Sequence, residues 1–197
     1  MAAMTHRDRG ATVTDVVVTM AVVATLFGVA THQFMQWLPH YRLTYAARAL
    51  LIQARRAKLQ AIQRGQVYYL DFNVNGDGIL QPGGCVLWED RNNNHQRDRL
   101  ERSETLLDLQ VIPGIALKPY PAALGGPTRG PHDTEIYAGE GDGVTFNFDR
   151  IKFNPNGTCS AGTIYLHNAT GRTCAIRLRS DGVLQLWRHD GGGWEQW

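Results

Sequence analysis

The feature that most constrains this chain is an uncharged apolar run. From Val16 to Pro39 it has no Asp, Glu, Lys or Arg; it comes after a polar segment with Arg7 and Arg9, and the one ionisable residue on the early apolar helix is Asp15. A helix needs about 20 apolar residues to cross a hydrocarbon core of roughly 30 Å, and this run is long enough. Basic residues ahead of it favour a cytoplasmic N-terminus and export of the C-terminal part of the chain. An ionisable group on such a helix is costly, so function is the default explanation of Asp15. Two fates fit the pattern. A cut at the small-x-small site Gly28, Val29, Ala30 makes the run an ordinary signal peptide, and a cut after Gly10 keeps it as an anchor.

The downstream sequence favours keeping the helix. Leu43, Ala47, Leu50, Ala54, Ala57 and Ala61 recur at spacings of four, three, four, three and four, the stripe of an amphipathic helix. Gly65 after Arg64 is a stop signal. Helix is therefore expected almost without a break from Val13 to Arg64, with bends available at Gly28 and Pro39. From Gln66 the period becomes two. VYYLDFNV and GCVLWED, separated by NGDG and PGG, predict a hairpin. Further strands are expected at Thr105 to Val111, Ile115 to Pro119, Gly143 to Phe148, Thr163 to His167, Cys174 to Arg179 and Val183 to Arg188, the last three as a meander. The class is α+β, one long helix packed on an antiparallel sheet or a two-sheet sandwich. A length of 197 residues suits one such domain plus the apolar appendage. The Gly- and Pro-rich segment from Tyr120 to Asp142 reads as a long loop, functional or mobile.

A short basic leader ending in Gly10, an apolar helix after it and an acidic residue five places past the cut resemble the type IV prepilins, although Ala11 and Asp15 stand where that family usually has Phe and Glu. VLWEDRNNNHQRDRLERSETLL resembles the segment after the first hairpin of the FimT/GspH minor pseudopilins. IKFNPNGTCSAGTIYL and SDGVLQLW resemble their closing strands. The resemblance implies a pilin fold in three parts: a leader at 1–10, a transmembrane and polymerisation helix at 11–39, and a periplasmic domain at 40–197 made of helix 40–65 and a β region 66–197. It further implies cleavage by prepilin peptidase between Gly10 and Ala11, N-methylation of Ala11, and a single-pass place in the bacterial inner membrane. The expected role is a minor pilin or pseudopilin in initiation or assembly of a type IV pilus or type II secretion pseudopilus. Its partners are other pilins or pseudopilins, the peptidase and inner-membrane lipid. The competing reading is a secreted β-rich binding module with an ordinary signal peptide.

In a bundle of apolar helices, Asp15 can pair with the ammonium on Ala11 of a neighbouring subunit, a register device more than net glue. Asp90, Asn92, Asn94, Asp98 and Glu101 fall at positions 1, 3, 5, 9 and 12 of an EF-hand-like loop, but His95 stands where Gly is wanted, so a plain turn is the stronger reading. The DNA-uptake motif of FimT proteins, GRxR, is replaced here by Gly182, Val183, Leu184 and Gln185. Arg177, Arg179 and Arg188 are the remaining candidates for weak contact with double-stranded DNA. If the domain is exported, the three cysteines suggest one bridge and a spare thiol, and Cys159 with Cys174 is the pair closest in sequence. No nucleophile, base and orienting acid form a motif and no phosphate-binding loop is present, so neither an enzyme nor a cofactor is expected. Asn168, Ala169, Thr170 reads as a turn despite matching a glycosylation sequon.

Overall fold

A computed structural model describes residues 12–72, 84–98, 100–108, 112–133 and 143–197. The expected cleavage site at Gly10 and Ala11 and the turn between the first two strands lie outside these residues. Helix α1 runs Val13–Arg64 and contains Pro39. The ring of Pro39 lacks the N–H that would close on the carbonyl four residues back. The chain divides into two compact units at this point, one ending at Leu38 and the other Pro39–Trp197.

From Val13 on, the first unit is helix, and that helix is long and apolar enough to cross a membrane. Its hydroxyls turn inward: Thr25 Oγ1 donates to the Val22 carbonyl and Thr31 Oγ1 to the Phe27 carbonyl, both at 2.8 Å. Satisfying hydroxyls on the helix's own backbone lets an apolar solvent surround it.

In the second unit, α1 buries Leu43, Ala46, Ala47, Leu50, Leu51, Ala54, Ala57 and Ala61. This contains the whole stripe read from the sequence, and the helix stops where Gly65 takes φ 64°. Two antiparallel sheets share the core with it. The first has strand order β3-β2-β1-β5, with β1 Val67–Asp71, β2 Gly84–Asp90, β3 Ser103–Asp108 and β5 Arg150–Phe153. The second has order β4-β6-β7-β8-β9, with β4 Ile115–Ala116, β6 Gly162–Asn168, β7 Thr173–Leu178, β8 Leu184–His189 and β9 Trp194–Gln196. Alternate residues face the helix stripe, among them Leu70 and Phe72 of the β1 end, Leu87, Ile151, Phe153, Ile164, Leu166, Ile176 and Leu178. The class is α+β, and of the two arrangements expected the two-sheet one is present.

The opposite faces carry aromatic clusters. On the first sheet Tyr69 stacks on its cross-strand partner Trp88 at 4.5 Å. On the second, Tyr165, Ala175 and Trp187 group together.

The meander stands as expected with ends shifted by a residue, and β1 and β2 pair as the expected hairpin, β1 ending at Asp71 and positions 73 and 74 of its expected run lying outside the described residues. Other strand expectations are corrected. The strand expected at Ile115 to Pro119 shrinks to two residues, and the one expected at Thr105 to Val111 starts earlier, at Ser103, and is described to Asp108, its last three positions lying outside the described residues. Gly143 to Phe148 is not a strand: Val144 makes one isolated bridge to Ile164, and Asn147–Asp149 is a 3-10 turn. Strand β5 lies outside the strands read from periodicity, although within the IKFNPNGTCSAGTIYL stretch likened to closing strands, and β9 lies outside all the strands expected.

Candidate functional site

The N-terminal turn of α1 is built around Asp15. Its Oδ2 accepts from the Thr12 N–H at 3.0 Å and from Thr12 Oγ1 at 2.7 Å, while Thr12 Oγ1 accepts from the Asp15 N–H at 3.3 Å. This is a reciprocal capping box, with Thr12 at the N-cap and Asp15 three residues on. The T-x-x-D spacing is its signal in the sequence, a second role for Asp15 beside the expected one between subunits.

The Asn-rich loop after β2 is ordered from within. Asp90 is almost wholly buried, and its carboxylate accepts from the N–H groups of Asn94 and His95 at 3.1 and 3.2 Å. Asp98 Oδ2 accepts from the amides of Asn92 and Asn94 at 2.7 and 3.0 Å. Glu101 accepts from the Arg91 and Asp98 N–H groups, both at 3.0 Å. Asn93 and His95 adopt φ of 59° and 62°, the left-handed turn geometry that Asn tolerates. The oxygens that would ligate calcium therefore satisfy the loop's own donors. Among the described residues no group of three or more His, Cys, Asp or Glu is arranged to hold a metal ion. Millimolar calcium is expected to leave the melting temperature of the protein unchanged within about 1 °C. A site filled to about 100 times its dissociation constant would instead add roughly 2.7 kcal/mol, a shift of several degrees.

The three arginines considered for DNA do not share a surface. Arg177 reaches the Pro131 carbonyl at 3.4 Å on the outer face of the second sheet. Arg179 pairs with Asp181 at 3.0 Å beyond the strand end. Arg188 is the register partner of Cys174, so it projects to the opposite face from Arg177, and it pairs with Glu195 at 3.0 Å and Asp190 at 3.6 Å. Gly182, in the place of the motif's glycine, has a packing role. It takes φ 78°, and a Cβ there would collide with the Gly157 carbonyl; its own carbonyl accepts from Lys58 Nζ at 2.8 Å.

The expected cysteine pair is also corrected. Cys159 and Cys174 are free, buried thiols, as is Cys85. Cys159 Sγ donates to the Arg179 carbonyl at 3.0 Å. Cys174 lies five residues back along β7, about 16 Å at roughly 3.3 Å per residue, well beyond the ~7 Å limit between bridged Cα atoms. Burial pushes the Cys174 thiol up to about 12, which leaves it unreactive.

The described part of the Gly- and Pro-rich segment has a definite place. It straps the outer face of the second sheet: the Tyr120 N–H donates to Thr173 Oγ1 at 3.2 Å, the His132 and Trp187 rings meet in a T-shape with centroids 4.7 Å apart, and Trp194 Nε1 donates to the Arg129 carbonyl at 2.7 Å. Nothing in the composition of the strap announces these contacts.

Asn168 is fully buried and spends its side-chain oxygen on the N–H groups of Thr170 and Arg172, at 3.2 and 3.0 Å, which fixes the β6–β7 turn. Its amide meets His40 Nδ1 at 3.3 Å. Burial, helped by the Arg172 charge, holds the His40 pKa below its ordinary value of 6.5. Burial acts the same way on His167, beside the Lys118 carbonyl, and on His189, where Asp190 opposes it. Below about pH 6.5 the unfolded chain therefore binds more protons than the folded one, so stability is lost as pH falls through the lowered folded values. The melting temperature should fall between pH 7.5 and 5, and His40→Gln with His167→Gln should reduce that fall. An unchanged pH profile in the double variant would remove these histidines from the account.

The family model of the type II transport protein GspH matches residues 46–182. No curated protein sequence matches the chain. Among solved structures, the minor pseudopilin EpsH from the type 2 secretion system of Vibrio cholerae is similar at 13% identity, covering 77% of this chain and 98% of that one, with a TM-score of 0.43. With the family model spanning the buried half of the helix, the first sheet and the β6–β7 hairpin, the chain belongs to the GspH family of type II transport proteins.

Proposed function

We propose that this chain is a minor pseudopilin of a type II secretion machine, held in the bacterial inner membrane by α1 and presenting residues 40–197 to the periplasm. The observation that carries the reading is the GspH match over residues 46–182, joined to a helix from Val13 that is long and apolar enough to cross a membrane. In this reading prepilin peptidase cuts after Gly10 and Ala11 becomes the methylated N-terminus. The mature protein works by assembly and has no chemistry of its own. Its partners are the other pseudopilins of the machine, which meet it first through the apolar helix.

The mass of the protein recovered from membranes tests this. Loss of residues 1–10 with one added methyl group is the expected result, and Gly10→Val should leave the leader uncut. Loss of residues 1–30 would mean an ordinary signal peptide and would overturn the proposal.

A further inference from the structure

The face of α1 turned away from the sheets carries a second stripe. Tyr45, Arg48, Ile52, Arg55, Leu59 and Ile62 recur at spacings of three, four, three, four and three. Starting two residues after Leu43, they lie about 200° around the helix from the buried stripe at Tyr45 and drift to about 100° at Ile62. A solvated helix face is normally polar. Here Ile52 is 60% exposed and Leu59 56% exposed, with Tyr45 and Ile62 close behind.

The charges on the helix separate into two kinds. Arg56 makes a two-bond pair with Glu104 at 3.1 Å, Lys58 bonds the Gly182 carbonyl and Arg64 pairs with Glu89. These tie the helix to its own domain. Arg48 stacks on the Trp197 ring at 5.2 Å, and Arg55 has no bond of this kind among the described residues. Both arginines lie within the apolar stripe, seven residues apart, interleaved with Tyr45, Ile52 and Leu59. Heptad spacing of this form suits packing against another helix. That helix cannot be the same segment of a second copy: from Tyr41 to Gly65 there are six basic residues and no acidic one, so self-pairing sets arginine against arginine.

We propose that the outer face of α1 between Tyr45 and Ile62 docks an amphipathic helix of a different subunit, one that carries carboxylates seven residues apart to meet Arg48 and Arg55. The proposal rests on the pseudopilin reading and adds the chemistry of the partner. Apolar residues supply the contact, and the two guanidinium groups select an acidic helix and reject a basic one.

The test places a photo-crosslinking aromatic residue at position 62 of the full chain, in membranes that hold its cognate secretion subunits, with a second probe at position 17 on the apolar part of the helix. The expected adduct at 62 maps by mass spectrometry to a helix of another subunit with Asp or Glu at seven-residue spacing. Arg55→Glu should reduce it at least about tenfold, since a like-charge contact replaces a pair. Lys in place of the partner carboxylate should restore it. Ile52→Ser should also weaken it without changing the melting temperature, because the side chain is exposed. Adducts on this chain itself, on lipid or on a β segment would overturn the proposal, as would insensitivity to Arg55→Glu. Adducts with pseudopilins at 17 and none at 62 sink this inference and leave the proposed function standing; none at either position sinks both.

Discussion

Phe153→Ala is expected to destabilise the domain by about 3–5 kcal/mol, the range for removing a buried aromatic side chain. At roughly 2–4 °C per kcal/mol for a domain of this size, the melting temperature should fall by about 6–20 °C. Phe153 is 0% exposed and faces the core from β5, an edge strand of the first sheet. It bridges to Cys159, whose N–H donates to the Ser180 carbonyl at 3.3 Å in the hairpin that ends β7. The side chain thus fills the place where the two sheets are tied together, and a cavity there is flanked by backbone that cannot close over it. Phe148→Ala is the matched control. Phe148 is 84% exposed, so its loss should change stability by less than about 0.5 kcal/mol. Thermal melts of the full chain in detergent compare the two variants. Equal effects would mean that Phe153 does not hold the sheets together.

The same pair of phenylalanines shows what the sequence can and cannot reveal. In GVTFNF the residues Val144, Phe146 and Phe148 alternate as in a half-buried strand. Val144 and Phe146 are indeed buried, but Phe148 and Asp149 take φ of 59° and 53°, which turns Phe148 outward and restarts the alternation at Arg150. Periodicity carries no trace of two non-glycine residues in the left-handed region, so it places a strand where the chain turns and none at β5. The helix is legible because its signals agree: the Leu and Ala stripe, Arg64 and Gly65 all point to one boundary. The meander is legible because its turns at NATG and SDG have the right chemistry at the right spacing. The strap is not, since residues 120–133 are held by contacts between distant segments, such as Trp194 Nε1 to the Arg129 carbonyl. The arginines illustrate the same limit. Alternation places Arg177 on a face, but only the fold shows Arg188 on the other one and each charge already engaged.

Asp15→Ala is expected to reduce co-assembly with other pseudopilins by about tenfold or more, because a neighbour's ammonium left unpaired away from water costs several kcal/mol. Processing after Gly10 should continue. The structure adds a competing account, however: Asp15 caps its own helix through Thr12, and losing a cap costs about 0.5–2 kcal/mol of helix stability. Asp15→Asn separates the two. Asn keeps an oxygen that can accept from the Thr12 N–H, but it has no charge to offer a neighbouring ammonium. If the charge is what matters, Asn fails as badly as Ala while Asp15→Glu, which restores the usual residue of the prepilins at this place, assembles at least as well as the native chain. If the cap is what matters, Asn assembles nearly normally. The measurement is co-purification of each variant with partner pseudopilins from membranes, alongside the mature mass to confirm cleavage. Normal assembly of Asp15→Asn would remove the inter-subunit charge pair and leave Asp15 as the residue that starts the helix.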